Sequence, residues 1–187
     1  MTGQVIQGTP AAFVSELVSV LAAVLEVSGS IRPADQRSAD GWLVTLQASD
    51  GAEGSLVEVS HTGYANLGLT HRRRLFLGDS GEDLRGEDAL IGKTPQRFSI
   101  RFHFQPDVHV SLTGNGQTAL LRLGDGAGWR FRSDTDSITL DDSVYFGSGA
   151  APRRTNVLVI SGQTDGDGET IVRWAFRREK RPGLPSS

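Results

Sequence analysis

The chain has 187 residues, 37% of them hydrophobic, with 23 glycines and no cysteine. That length suits one domain with a real core and is short for two, and the lack of cysteine excludes a disulfide framework and thiolate metal sites. The 19 Lys and Arg against 22 Asp and Glu leave a net charge of −3, which excludes the broad basic field that holds nucleic acid.

Residues 1–8 are small and polar. Thr9-Pro10 then reads as a helix start, with Thr as N-cap and Pro in the first helical position. Phe13, Leu17, Val20, Leu21, Val24 and Leu25 recur every three or four residues, so the spacing predicts an amphipathic helix that ends before Gly29. The Ala11–Val27 run is broken by Glu16 and has no Lys or Arg ahead of it. It is therefore read as a helix of the folded protein, not as a secretory leader. No segment reaches the roughly 20 apolar residues of a membrane-spanning helix. Residues 28–41 form a polar linker, which gives an organisation of 1–41 helix and linker, 42–180 β domain and 181–187 disordered tail.

Beyond the linker the period changes to two. Trp42–Gln47 and Ser55–Ser60 predict a hairpin across Ser49-Asp50-Gly51. Strands follow at His71–Leu77, Leu84–Ile91, Arg97–Phe104, Val108–Leu112, Gln117–Leu123, Gly128–Arg132, Ser137–Leu140, Asp142–Phe146, Arg154–Ser161 and Glu169–Arg178. The clearest is Arg97–Phe104, where Phe98, Ile100, Phe102 and Phe104 point one way and Arg97, Ser99, Arg101 and His103 the other. In the last strand Val172, Trp174 and Phe176 face in while Arg173 and Arg177 face out. Roughly ten to twelve short strands predict an all-β, antiparallel β-sandwich or barrel carrying one N-terminal helix.

The chemistry-bearing stretch is His61–Leu77. From His71 onward, one face of the strand carries His71, Arg73, Leu75 and Leu77, and the other carries Arg72, Arg74 and Phe76. Arg72, Arg73, Arg74, Arg97 and Arg101, with Arg173 and Arg177, either line a groove for an acidic ligand, which the planar guanidinium fork suits, or form a solvated sheet face. His61, His71 and His103 lie at strand ends or on polar faces. They are candidate ligands for a divalent metal or ordinary hydrogen-bonded histidines, because their spacing is not a ligand signature. His109 alternates with Val108 and Val110 and reads as a surface strand residue. Asp165-Gly-Asp-Gly-Glu169 lacks the full ligand set of a calcium loop and reads as a hairpin turn. Gly124-Asp-Gly-Ala-Gly128 lies between strands and is a turn, not a phosphate loop. No Gly-x-Ser-x-Gly elbow is present.

Several short motifs occur in a fixed order: His61-Thr-Gly-Tyr64, Gly68-Leu-Thr-His-Arg-Arg-Arg-Leu-Phe-Leu77, Asp83-Leu-Arg-Gly-Glu-Asp88, Arg101-Phe-His-Phe-Gln-Pro106, Leu120-Leu-Arg-Leu123, Gly128-Trp-Arg-Phe131, Pro152-Arg-Arg-Thr155 and Val172-Arg-Trp-Ala175. Together they resemble the C-terminal domain of the bacterial heparinase II/III-like proteins, over about residues 55–178. The resemblance implies a β-sandwich that follows an upstream helical toroid in an envelope-associated or periplasmic polysaccharide lyase. Such an enzyme cleaves acidic, uronate-containing glycans by β-elimination, using a base, an acid and a group that stabilises the enolate-like intermediate. The family's catalytic tyrosine belongs to the toroid, so Tyr64 is not assigned that role. The sandwich's own catalytic histidine sits before the matching segment, where no histidine precedes His61, and Gln105 stands where many relatives have a second histidine. The expectation is a domain incomplete as an enzyme, with unassigned catalytic residues and an acidic polysaccharide as partner. The alternative is a non-catalytic glycan-binding or structural module.

Overall fold

In the computed structural model, residues 22–27, 44–114, 116–136, 138–146 and 151–179 are described below. They form two antiparallel sheets. The larger has the order β2(Val44–Gly51), β3(Gly54–His61), β4(Leu69–Gly78), β5(Asp83–Gly92), β12(Gly168–Arg178), β9(Gly128–Ser133), β8(Thr118–Arg122) and β7(His109–Leu112). The smaller has the order β1(Ala22–Val27), β6(Arg97–His103), β11(Arg153–Gln163) and β10(Ile138–Tyr145). The predicted antiparallel sandwich is therefore present among the described residues.

The alternation read from sequence fixes which side chains meet between the sheets. Phe98, Ile100 and Phe102 of β6 and Leu158 and Ile160 of β11 face Trp129, Phe131, Trp174, Phe176, Leu84 and Leu90 of the larger sheet, all buried. The centre is aromatic. Phe102 lies 4.9 Å from Trp174, edge to face, and 5.0 Å from Phe131, with Phe131 4.7 Å from Phe176. These are the tilted and edge-on geometries that ring quadrupoles favour.

Three expectations need correction. The predicted helix does not hold over Ala22–Val27, which is strand β1, paired with β6 from Ala22↔His103 to Val27↔Phe98. Helical spacing of apolar residues loses here to the open edge of β6, whose backbone groups need partners. The rest of the predicted helix, the linker at 28–41 and the tail at 181–187 lie outside the described residues. Next, the first hairpin turns at Ala52-Glu53, with Gly51 opposite Gly54, not at Ser49-Asp50-Gly51. Gly54 has φ +145°, and a Cβ there would sit 2.1 Å from the Leu77 carbonyl oxygen. Last, the two strands expected at 137–140 and 142–146 are one, β10, which runs straight through Asp141 and Asp142. An edge strand leaves such charges in solvent and gains protection from unwanted pairing.

Candidate functional site

Strand β4 carries the cationic stretch, and its two faces do different things. On the inner face, His71 and Arg73 converge on Asp88 of β5, which is fully buried. His71 Nε2 lies 2.7 Å from Asp88 Oδ1, and Arg73 Nε donates to the same oxygen at 2.6 Å. The other oxygen accepts the indole N–H of Trp174 at 2.8 Å. Arg73 also stacks over the Trp174 ring, 5.9 Å from its centroid. The anion that this cationic cluster grips is thus the chain's own carboxylate.

The cluster continues outward through His61, which faces His71 across the β3–β4 pair. The Gly63 N–H donates to His61 Nδ1 at 3.2 Å, so a neutral His61 carries its proton on Nε2. That proton points at His71 Nδ1, 3.0 Å away. His71 then presents Nε2–H to Asp88, and a directed chain runs from His61 through His71 to the buried carboxylate. Both nitrogens of both rings are engaged inside the protein.

Electrostatics follow the geometry. Burial would push the Asp88 carboxyl up, but the His71 hydrogen bond and the charge and hydrogen bond of Arg73 outweigh it and hold the group at about 2. For His61, burial comes first and the neighbouring His71 and Arg73 add to it, lowering the imidazole to about 4. His61 is neutral at physiological pH.

Two residues of this cluster, Asp88 and Trp174, were not singled out from sequence as polar partners. The signal exists, because Asp88 falls in phase with Leu84 and Leu90, so a lone carboxylate sits on a core-facing strand face. Gly86, two residues earlier, is also dictated by the site. A Cβ there would lie 2.1 Å from the Trp174 ring, and only glycine lets the indole reach Asp88.

The five arginines proposed as ligand-binding do not share one groove. Arg73 is inside. Arg72 and Arg74 lie on the outer face of the larger sheet, paired to Glu169 at 2.5 Å and Glu58 at 2.5 Å. Arg97 and Arg101 are on the smaller sheet, on the face opposite the core. Arg173 bridges Glu87 at 3.1 Å and Arg177 bridges Asp83 at 3.2 Å, so the outer face is a lattice of ion pairs. The three candidate metal ligands also separate. His61 and His71 meet, while His103 lies on the other sheet, its Nδ1 3.2 Å from Ser143 Oγ. Among the described residues, no group of three His, Cys, Asp or Glu is placed to hold a metal ion. A cation at Asp88 would have to displace the Arg73 guanidinium, so this donor set does not fit a metal.

Comparison with known proteins decides the lineage. The family pattern "Heparinase II/III-like, C-terminal" matches residues 22–175. The chain belongs to the heparinase II/III-like family. FtsZ-localized protein C of Caulobacter vibrioides (strain NA1000 / CB15N) is 32% identical, over 73% of this chain and 27% of that protein. Among solved structures, the heparan sulfate lyase HepC of Pedobacter heparinus superimposes with a TM-score of 0.63 at 12% identity, over 76% of this chain and 23% of that one. Heparinase III gives 0.61 at 14% identity, over 72% and 21%. The chain spans about a quarter of the length of these relatives, and the structural matches establish the shared sandwich. This heparinase II/III-like domain starts its match at β1, the strand formed by Ala22–Val27. No helix among its described residues is long and apolar enough to cross a membrane.

Proposed function

We propose that the domain is the scaffolding half of a heparinase II/III-like polysaccharide lyase. It supports an acidic, uronate-containing glycan in the cell envelope, while groups on an upstream toroid move the protons. The observation that carries this reading is the closure of the His61–His71–Asp88 chain upon itself. A general base must offer a free nitrogen or oxygen to the proton it removes, and here Gly63, His71, Arg73, Trp174 and Asp88 satisfy one another. The cluster ties the β3–β4–β5 end of the sheet together and holds a half-buried Arg charge in place. The test is to mix the purified chain with heparin, heparan sulfate or alginate, and follow the ultraviolet absorbance of unsaturated uronate. No absorbance with retained binding on a heparin column supports the scaffold reading. A rise in absorbance would show that the domain catalyses elimination by itself.

A second reading has its own support. Sequence identity to FtsZ-localized protein C is 32%, against 12–15% to the lyase structures. On this reading the domain serves an FtsZ-associated protein and the lyase fold is retained without lyase activity. Co-sedimentation of the chain with polymerised FtsZ, with no binding to heparin, would favour it over the first.

A further inference from the structure

The outer face of the larger sheet has one cross-strand row unlike its neighbours. The pairings Leu56↔Phe76, Phe76↔Arg85, Arg85↔Ala175 and Ala175↔Arg132 place these five side chains in line across β3, β4, β5, β12 and β9. The adjacent row carries the carboxylates Glu58 and Glu87, and the row on the other side carries Asp83. The row itself has none. Fourth along it, the small Ala175 lies between Arg85 and Arg132, and a trough of about 490 Å³ opens over the row. Leu56, Phe76 and Ala175 supply its floor, Arg74, Arg85, Arg132 and Arg173 its rim, with Glu87 and Asp134 interspersed.

Two features say what such a trough takes. Its floor has two apolar parts: Leu56, 40% exposed, with Phe76 on one side of Arg85, and Ala175 on the other. The Arg85 guanidinium lies 5.6 Å from the centroid of the Phe76 ring. The rim arginines are mostly committed, Arg85 to Asp83 at 2.6 Å, Arg74 to Glu58, and Arg173 to Glu87. Arg132 is exposed and has no ion-pair partner among the described residues. A polyanion with a charge on every unit would meet Glu87 and Asp134 as well as the arginines, and would offer the floor the C–H faces of its rings in place of a whole apolar side chain. A peptide with one apolar side chain beside an acidic residue matches both features, since desolvated apolar anchors carry binding energy and a nearby charge pair fixes register.

We propose that this trough docks a short segment of another protein, with an apolar side chain seated over Ala175 between Arg85 and Arg132 and a neighbouring carboxylate on the Arg132 guanidinium. This surface lies on the face of the sheet opposite the His61–Asp88 cluster, and it stands whether or not the glycan reading does.

The probe is a pool of short, fluorescently labelled peptides of uncharged polar residues, with one Asp or Glu beside a Leu or Phe at the centre. The control pool has Ser there, and binding of both to the whole chain is followed by anisotropy and amide chemical shifts. The Leu/Phe pool is expected to bind at least about tenfold more tightly than the Ser pool, with shifts at Leu56, Phe76, Arg132 and Ala175. Arg132→Glu, at an exposed position without an ion pair, should weaken binding by about tenfold or more while leaving the melting curve unchanged. Ala175→Glu, which fills the floor, should do the same. Equal binding of both pools, no binding, or indifference to Arg132→Glu would overturn the proposal. So would a heparin oligosaccharide that shifts the same four residues and displaces the peptide, since the trough would then be a glycan surface.

Discussion

Arg73 and its neighbour Arg72 differ by one position and by almost everything else. Arg73 enters the core beside a carboxylate with no solvent exposure, whereas Arg72 meets Glu169 at the surface with both side chains partly wet. Attraction between opposite charges is strong where water is excluded, but so is the cost of leaving either charge alone. The inner pair is held by a five-residue network and the outer pair by one contact. A strand with a period of two thus turns a single run of arginines into a structural pin on one side and an adjustable charged surface on the other.

The widest gap should come from Asp88→Ala. It strands Arg73, His71 and the Trp174 N–H together, and a cost of about 3–5 kcal/mol is expected in urea denaturation. A loss no greater than that of a surface substitution would erase the distinction between the faces. Acid should act next. The folded Asp88 carboxyl titrates at about 2, against 3.8 unperturbed, so the stability it contributes is complete above about 3.8. It is lost as pH falls through about 2, and amounts to roughly 2–3 kcal/mol. His61 adds an earlier limb of the same sign. Its folded value of about 4 lies below 6.5, so between those values the unfolded chain takes up a proton that the folded chain refuses, and stability declines as pH drops. Urea midpoints measured from pH 7.5 down through about 2 should show both limbs, and His61→Gln should abolish the upper one. Trp174→Phe keeps an aromatic side chain but removes the N–H donor to Asp88 and part of the buried ring, for an expected loss of about 1–3 kcal/mol. Arg72→Ala should be the smallest, about 0–1 kcal/mol and reduced further by salt.

Much of the sandwich was legible because burial on one face leaves a period-two imprint. Phe98, Ile100 and Phe102 predicted their own face, as did Val172, Trp174 and Phe176. The segment at 22–27 misled because a short apolar run fits either period, and only the edge of β6, far along the chain, selects the strand. The histidines and arginines of β4 stand out in the sequence as its chemistry-bearing stretch, and their division between faces matches the structure. What they hold was not legible. Asp88 and Trp174 lie 86 residues apart in sequence and meet only through the β5–β12 pairing. Groups that local pattern shows as cations in search of an anion had found one at long range.

That same pairing has a consequence for how the molecule is made. Strand β12 sits between the β2–β5 meander and the β9–β8–β7 meander and joins them into one sheet. As a nascent chain leaves the ribosome, the two meanders can assemble early from local hairpins, but neither can dock until the last strand emerges. Until then Asp88 waits without its indole. The final strand acts as a keystone, and polypeptides severed ahead of Gly168 should be prey for quality-control proteases.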